Sequence, residues 1–258
     1  MKPDYVIPFR LDKDAAVAAL KKHYGGKPFL PKLFKSGNHL QKVQGVYVPF
    51  WLFDATADGD VTYVATRSHS HTEGDYRVTV TEHFNVRRAG SAGFQRIPAD
   101  GSSKMPDDYM DSIEPFDYSE LQPFSMSYLP GYLADKYDVT AEDCASRADE
   151  RCRTSMEEIL RSDITGYETV TPRTRNIRLR RGSVKYALLP VWVLKTHWGG
   201  KDYLFTMNGQ TGKLVGDLPV SKGKYWGTFL GITAALFLLL NVSGIAGFLM
   251  EFIAMLLE

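Results

Sequence analysis

Histidines with the spacing of metal ligands are the first candidates for chemistry in this sequence. His69 and His71 stand two residues apart, so on a β-strand both imidazoles would project from the same face. A catalytic zinc site takes three protein ligands and keeps one position open, and the third would have to be His83, or Glu82 on the opposite face of its strand. If the chain turns at residues 73–74, however, His83 pairs nearer Tyr63 and lies too far from both. The sequence therefore favours exposed imidazoles beside a turn over a metal site.

A run of carboxylates in residues 107–120 is the second candidate. It would hold a hard cation or bind a basic partner, but it lacks the alternating ligands and the glycine of an EF-hand loop. We therefore expect a solvated loop. A metal-dependent hydrolase that combines this run with His69 and His71 is kept as an alternative. The members of the acidic run are Asp107, Asp108, Asp111, Glu114, Asp117 and Glu120.

The densest basic patch lies in the sequence TPRTRNIRLRRG and has three interpretations. It is the solvated face of a sheet, a contact for anionic lipid headgroups or a protein partner, or a nucleic-acid site. Each basic residue near an anionic membrane contributes about 1 kcal/mol to binding, whereas no aromatic residue is interleaved here to stack bases. We therefore expect no nucleic-acid partner, and nucleic-acid binding is the second alternative. The candidate headgroup or partner contacts are Arg173, Arg175, Arg178, Arg180, Arg181, Lys222 and Lys224.

The remaining sequence carries no catalytic constellation. The phosphate-loop pattern G-x-x-x-x-G-K-[ST] and the nucleophile pattern G-x-S-x-G are both absent. The two cysteines, Cys144 and Cys152, would lie about 12 Å apart along one helix axis, which is too far for a disulfide. A net charge of +1 creates no global field that attracts nucleic acid. We therefore predict a protein that is not an enzyme and has no cofactor.

Two amphipathic helices must position these groups. The first is predicted from Lys13 to Tyr24 behind the N-cap Asp12. The second is predicted over residues 141–161, where Thr140 and the acidic residue three positions later form a capping box. Apolar side chains recur at spacings of three and four in the second helix. That apolar face consists of Ala145, Ala148, Cys152, Met156 and Ile159.

Strand-like segments follow each helix, and two of them share a motif. VPFWLF at residues 48–53 and LPVWVL at residues 189–194 both contain proline and tryptophan two positions apart, which indicates an internal duplication. Proline inside such a strand indicates a sheet edge or a bulge, because it cannot donate to the ladder. We expect a turn at residues 54–60, and the pair Gly199-Gly200 has the composition of a two-residue hairpin turn.

The C-terminal stretch is the strongest signal in the chain. Residues 227–250 carry no charge, and about 20 apolar residues suffice for a helix that crosses a bilayer. The N-terminus lacks the apolar core of a signal peptide, and Lys222 and Lys224 precede the stretch as the positive-inside rule expects. We therefore predict a single-pass protein of the cell membrane with a cytoplasmic domain. The anchor residues are Tyr225, Trp226, Phe229, Leu230, Ile232, Leu236, Phe237, Leu238, Leu239 and Leu240.

The predicted fold class is α+β. Two duplicated helix-plus-antiparallel-sheet units occupy residues 1–98 and 140–220, and an aromatic-rich excursion at residues 99–139 packs on them. One C-terminal transmembrane helix follows at residues 225–250. Residues 251–258 form a short tail in the far interface of the membrane.

Several long runs resemble a family of bacterial membrane proteins that is common in Gram-positive species. They are YVPFWLFDA, LLPVWVLKT and KDYLFTMNGQTGKLVGDLPVSKGKYW, together with the aromatic-rich run that begins IPADGSSKMPDDY. Members of the family carry a transcription-factor-IIB-type zinc ribbon and are often labelled helicase PriA-like. The resemblance implies a cytosolic α+β domain followed by a C-terminal membrane segment. No Cys-x-x-Cys pair precedes Tyr5 in this sequence, so the zinc ribbon is absent from these residues, being missing, truncated or encoded elsewhere, and no zinc ligand is carried over.

The resemblance also implies a function. Some members of the family belong with phage-shock and SPFH-type envelope-stress proteins, which implies a scaffold or adaptor role. We therefore expect a membrane-anchored cytosolic domain whose partners are membrane lipid and other proteins. The hydrolase and the nucleic-acid-binding protein are the two alternatives.

Overall fold

One large mixed sheet dominates the fold. The computed structural model describes residues 1–31, 42–242, 247 and 255, and the strands in these residues form a single eight-stranded sheet. In chain order the strands are β1 (Tyr5–Val6), β2 (Gln44–Glu73), β3 (Tyr76–Asp100), β4 (Gln122–Pro123), β5 (Leu133–Ala134), β6 (Thr169–Trp198), β7 (Lys201–Asn208) and β8 (Leu214–Gly216). The sheet is built on β2 and β6, two antiparallel strands of 30 residues each.

The other strands flank this central pair. The order across the sheet is β3-β2-β6-β1-β4, with β3 antiparallel to β2 and β1 parallel to β6. Strand β5 pairs with β2 on the side of β3, and β7 pairs with β6 on the side of β1. Strand β8 pairs with β7.

Four helices lie in the described residues, and both predicted N-caps are confirmed. The helices are α1 (Lys13–Tyr24), α2 (Asp107–Ser112), α3 (Ala141–Ser162) and α4 (Lys222–Val242). The Asp12 carboxylate accepts the Ala15 N–H at 2.8 Å. Thr140 and Asp143 form both hydrogen bonds of the capping box at the start of α3. These local signals fix where α1 and α3 begin.

The apolar face of α3 differs from the prediction at one position. Ile159 is 45% exposed, whereas Leu160 is 5% exposed and packs in the core beside Met156. Both residues fit a spacing of three or four from Met156, so periodicity alone did not distinguish them. The contact with the sheet distinguishes them, because only Leu160 packs in the core.

Pro49 and Pro190 lie in the two central strands, so the expectation of an edge or a bulge is wrong. The Pro49 carbonyl accepts the Gly101 N–H and the Pro190 carbonyl accepts the Gly209 N–H, both at 2.8 Å. A strand residue directs its nitrogen and its carbonyl to the same side. On that side the neighbouring strand changes at each proline, from β3 to β5 and from β1 to β7. Each proline therefore lies at a position where no neighbouring strand would accept a hydrogen bond from a backbone N–H.

Residues 54–60 continue β2 and do not form the expected turn. Every second residue from 55 to 65 is buried, because α3 packs on that face. At Gly59 an added Cβ would lie 2.9 Å from Leu160 Cδ1 and 3.0 Å from Met156 Cε. Long-range packing thus overrides a local composition of Asp and Gly that is typical of turns.

The two proline-tryptophan motifs meet end to end in the centre of the sheet, where Val48 opposes Leu189. Tyr47 opposes Pro190, and Pro49 opposes Leu188. Both predicted units therefore contribute to one sheet in a mixed α/β fold. The internal duplication itself stays a prediction.

Part of the excursion at residues 99–139 packs on the sheet. Met110 of α2 and the following Ile113 and Phe116 are buried against residues of β2 and β6. The Phe116 ring lies 6.0 Å from the Phe50 ring. The excursion is thus part of the core on that face of the sheet.

Candidate functional site

The first turn of α4 is fastened to the segment that follows α1. Ser221 N–H donates to the Phe29 carbonyl at 2.8 Å, and Lys224 Nζ donates to the Leu30 carbonyl at 2.6 Å. The rings of Phe29 and Tyr225 meet edge to face at 5.7 Å. The helix therefore starts from a defined point on the body.

Beyond that turn, α4 is apolar and exposed around its whole circumference. Lys222–Asn241 is long and apolar enough to span a membrane, and none of it is buried. At 1.5 Å per residue these 20 residues cover about 30 Å. A core helix of a soluble protein buries at least one face. The ten predicted anchor side chains, each 45–66% exposed, are Tyr225, Trp226, Phe229, Leu230, Ile232, Leu236, Phe237, Leu238, Leu239 and Leu240.

The helix predicted at residues 225–250 is confirmed as far as Val242. The predicted end of the helix near residue 250 and the predicted tail at residues 251–258 lie outside the described residues, apart from positions 247 and 255.

The turn between β6 and β7 lies beside the start of α4. Trp198, Lys201 and Tyr203 line one cleft together with Val220 and Tyr225. Both aromatic residues of the turn are half-buried, whereas Lys201 is exposed. Aromatic rings interleaved with lysines are typical of the membrane–water interface. We call Trp198, Lys201, Tyr203, Val220 and Tyr225 the collar. It has the composition expected where α4 leaves the body.

The arginines of residues 173–181 are mostly paired with carboxylates of the same chain. The ion pairs are Arg175–Glu157 at 2.6 Å, Arg180–Asp58 at 3.2 Å and Arg181–Asp149 at 2.6 Å. In the described part of the chain, Arg173 and Arg178 form no ion pair. Arg181 stands 17 residues from Trp198, or about 55 Å along β6. Three of the five arginines are therefore neutralised, and the patch lies far along β6 from the collar.

The two predicted lysine contacts differ. Lys222 is exposed, whereas Lys224 is half-buried and hydrogen-bonded to the Leu30 carbonyl. Only Lys222 of the two thus presents its charge to the surroundings of α4.

Three members of the acidic run, together with Asp100 before it, are bound by arginines of α3. The contacts are Arg147 to Asp100 at 2.6 Å, Arg147 to Asp107 at 2.6 Å, Arg147 to Asp111 at 3.0 Å, and a bidentate pair from Arg151 to Glu114. Asp100 is 2% exposed, and burial raises the pKa of its carboxyl although Arg147 acts in the opposite direction. Burial likewise raises the pKa of Glu114. The run therefore clamps α2 and the following loop onto α3.

His69 and His71 share one face of β2, as predicted, and their ring centroids lie 6.5 Å apart. His83 opposes Thr66 and not a position near Tyr63, so that detail of the prediction is wrong. Since Thr66 and His69 are an odd number of residues apart, His83 lies on the other face of the sheet. Among the described residues no group of three His, Cys, Asp or Glu side chains is placed to hold a metal ion.

The acidic run and the histidines lie at different ends of the sheet. Asp100, which is joined to the run through Arg147, opposes Phe50 on β2. His69 is 19 residues further along β2, or roughly 60 Å at the rise of a strand. The structure therefore does not bring together the two parts of the hydrolase hypothesis.

Beyond a bulge at Asp54 the sheet narrows to three long strands. We call this part, residues 55–73, 76–94 and 169–181, the β-arm. At the bulge, Asp54 accepts hydrogen bonds from the Arg96 N–H at 3.0 Å and from the Ser183 hydroxyl at 2.6 Å. One carboxylate thus ties together the three strands where the arm leaves the body.

One face of the β-arm is covered by α3 and the loop behind it. The Tyr63 hydroxyl donates to the Glu157 carbonyl at 3.2 Å. The Arg67 guanidinium donates twice to the Gly166 carbonyl, at 3.1 and 3.0 Å. From Arg67 to the turn at Gly74 the hairpin continues for about 20 Å, and Tyr76 at its tip is 78% exposed.

The opposite face of the β-arm is polar. Pairs of hydroxyls join neighbouring strands there, and an ion pair joins Arg87 to Asp60 at 2.8 Å. The hydroxyl pairs are Thr66–Thr169 at 2.6 Å, Ser68–Thr81 at 3.0 Å and Ser70–Thr79 at 2.8 Å. A polar face of this kind stays in water or meets a polar partner.

Comparison with known proteins connects this architecture to one relative. The chain is 38% identical over 242 residues to YdjG of Bacillus subtilis strain 168, an uncharacterized protein. The match takes in 94% of this chain and 71% of YdjG. This chain belongs to the YdjG family. No family model matches the sequence, and no solved structure matches it.

Two features of this YdjG-family chain are not predicted by its sequence. Phe29 and Leu30, which hold the start of α4, lie in a segment without regular periodicity. Asp54 falls in the predicted turn at residues 54–60, whereas in the structure it lies at a bulge of β2. Its hydrogen-bond partner Arg96 has a φ of 57°, in the left-handed region. No pattern in the sequence predicts this conformation.

Proposed function

We propose that this YdjG-family protein is a membrane-anchored scaffold whose cytoplasmic body binds other proteins. In this role α4 crosses the cell membrane once and holds the body at the membrane surface, and the β-arm begins about 55 Å along β6 from the collar. The observation that carries the proposal is the state of α4, which is apolar around its circumference and exposed along its length. Burying such a helix in lipid removes from water a surface worth about 25 cal/mol per Å².

The proposed orientation is supported by charge. Lys201 of the collar and Lys222 in the first turn of α4 are exposed where α4 leaves the body, and positive residues favour the cytoplasmic side. Trp226 follows one turn into the helix and is 56% exposed, at the depth where aromatic residues contact headgroups.

The proposed scaffold role is supported by the β-arm. It extends the sheet well beyond the core, with one polar face and an open strand edge. The described residues hold no candidate metal cluster, and carboxylates neutralise three of the five arginines of the patch. An adaptor in envelope-stress complexes, with partners of the SPFH or phage-shock type, fits these features and the resemblance noted above.

Membrane fractionation tests the proposal. The full-length protein should pellet with membranes, resist extraction by alkaline carbonate and dissolve only in detergent. Ile232→Lys with Leu236→Lys adds about 5–7 kcal/mol to insertion of the helix and should release the protein. The matched control, Ile232→Leu with Leu236→Ile, should stay in the membrane. A full-length protein that carbonate releases would contradict the anchor.

A further inference from the structure

The outer edge of β3 is an open feature of the β-arm. From Tyr76 at the hairpin turn to Phe94 before the bulge, β3 pairs with β2 and with no other strand in the part of the chain that the structure describes. An open edge of this length is a template for another strand. Residues 89–93 read Ala-Gly-Ser-Ala-Gly, so an approaching strand meets no bulky side chain there.

The edge is symmetric about Asn85. This residue stands nine positions from Tyr76 and nine from Phe94, the two ends of the straight edge. Two copies that pair antiparallel about a two-fold axis at Asn85 would therefore use the whole edge. In that register the opposing residues are Glu82 and Arg88, Phe84 and Val86, and Tyr76 and Phe94.

The side chains in this register are complementary. Glu82 and Arg88 form no ion pair with other described residues, and the two-fold axis would create two Glu82–Arg88 pairs. Phe84 and Val86 lie on the same face as this pair, because the four residues oppose every second residue of β2. Opposite charges and apolar pairs directly across a ladder stabilise it, whereas like charges destabilise it.

The other face of the same ladder also tolerates the pairing. His83 would oppose Arg87, whose guanidinium is already paired with Asp60. The remaining opposing residues on that face are small or carry hydroxyls, except that Arg77 meets Gly93. No pair of unneutralised like charges arises on it, because Asp60 already neutralises Arg87.

Helix α3 leaves room for the second copy. Leu160, near the C-terminal end of α3, packs over Gly90, where an added Cβ would lie 3.6 Å from it. Gly90 is five residues from Asn85, or about 17 Å along the strand. The N-terminal end of α3 is further away, because Cys144 Sγ lies 3.3 Å from the Asp100 carbonyl. The two copies of α3 therefore fall on opposite sides of the axis.

We propose that β3 pairs with β3 of a second copy of this chain about a two-fold axis at Asn85, joining two β-arms into one continuous sheet. The occupant of the edge is thus the same protein, and self-association is the first step of scaffolding. The inference rests on the proposed role of the β-arm as a binding surface. It does not require α4 to be in a membrane.

Disulfide trapping in the full-length protein in detergent tests the register. Opposed Cβ atoms lie about 4.5–5.5 Å apart, so Asn85→Cys should give a disulfide-linked dimer under mild oxidation. Thr81→Cys is the matched control on the same exposed strand, since its two copies would lie about 27 Å apart. The wild type controls for Cys144 and Cys152, which are both buried.

The outcomes separate clearly. A dimer with Asn85→Cys and none with Thr81→Cys or the wild type supports the proposal. Equal trapping at both positions, no dimer with Asn85→Cys, or trapping of a different membrane protein by Asn85→Cys contradicts it.

A charge exchange gives a second, independent measurement. Glu82→Arg and Arg88→Glu each place two like-charged pairs in the ladder and should weaken the dimer about tenfold, by sedimentation in detergent. Their combination restores opposite charges and should restore the wild-type dimer constant. A double variant as weak as either single variant overturns the register. Neither result depends on carbonate extraction, so failure here is distinct from failure of the anchor.

Discussion

Lys224 in the first turn of α4 donates a hydrogen bond to the carbonyl of Leu30 at 2.6 Å. This contact joins the exposed apolar helix to the body through a residue that is itself 2% exposed. A charged donor on a buried carbonyl fixes the point at which the helix leaves the domain. In the proposed anchored scaffold this junction joins the body to the membrane helix, and the β-arm is the part of the body that binds partners.

The junction can be loosened selectively. Lys224→Ala leaves the Leu30 carbonyl without its charged donor, which costs about 1–3 kcal/mol for a buried group. We expect faster proteolysis between the body and α4 and a lower melting temperature of the detergent-solubilised protein. Lys222→Ala, at an exposed neighbouring position, should change neither. If both variants behave alike, the hydrogen bond does not hold the junction.

The packing of α3 on the β-arm depends on Gly59. In Gly59→Ala the new Cβ meets Leu160 and Met156 at 2.9–3.0 Å, and overpacking of this kind costs about 1–3 kcal/mol. Gly93→Ala on the neighbouring strand meets no atom within 4 Å. Urea denaturation should therefore show a loss of stability for the first variant alone.

The clamp between α3 and the excursion depends on Arg147. Arg147→Ala strands the buried carboxylate of Asp100, and breaking a buried pair in this way costs about 3–5 kcal/mol. Arg153→Ala removes only an exposed pair with Glu150 at 3.6 Å, which contributes about 0–1 kcal/mol. Equal unfolding midpoints for the two variants would show that the clamp is not structural.

Alkaline pH should destabilise the protein through Tyr47. Burial raises the pKa of its phenol to about 12, whereas an unfolded tyrosine has a pKa of about 10. The folded state therefore disfavours the ionised form. The associated stability is present below about pH 10 and is lost as the pH rises through about 12. Denaturation midpoints measured across this window should fall, and Tyr47→Phe should reduce the fall.

Local signals predicted the parts of the fold that local interactions determine. The capping box at Thr140 and Asp143 fixed the start of α3. The pair Gly199-Gly200 forms the expected turn because both residues have positive φ, 57° and 80°, as a tight hairpin requires. The uncharged C-terminal stretch predicted α4 because a run of about 20 apolar residues is a local signal that needs no partner elsewhere in the sequence.

Long-range pairing lay beyond the sequence. Tyr47 opposes Pro190 across 143 residues of chain, and no local pattern in either segment indicates that the two segments pair. The same holds for Arg147 and the carboxylates that it neutralises. Residues 54–60 have the composition of a turn. They form a strand because α3, which is far away in sequence, packs on them.

In the proposed orientation, α4 holds the body at the cytoplasmic face of the membrane. Tyr76→Cys places a thiol at the tip of the β-arm, where the native side chain is 78% exposed. A membrane-impermeant maleimide added to intact cells should leave this variant unlabelled, and labelling should appear only after the cells are lysed. The buried Cys144 and Cys152 should keep the wild type unlabelled in both conditions. Labelling of Tyr76→Cys in intact cells would place the body outside and contradict the account.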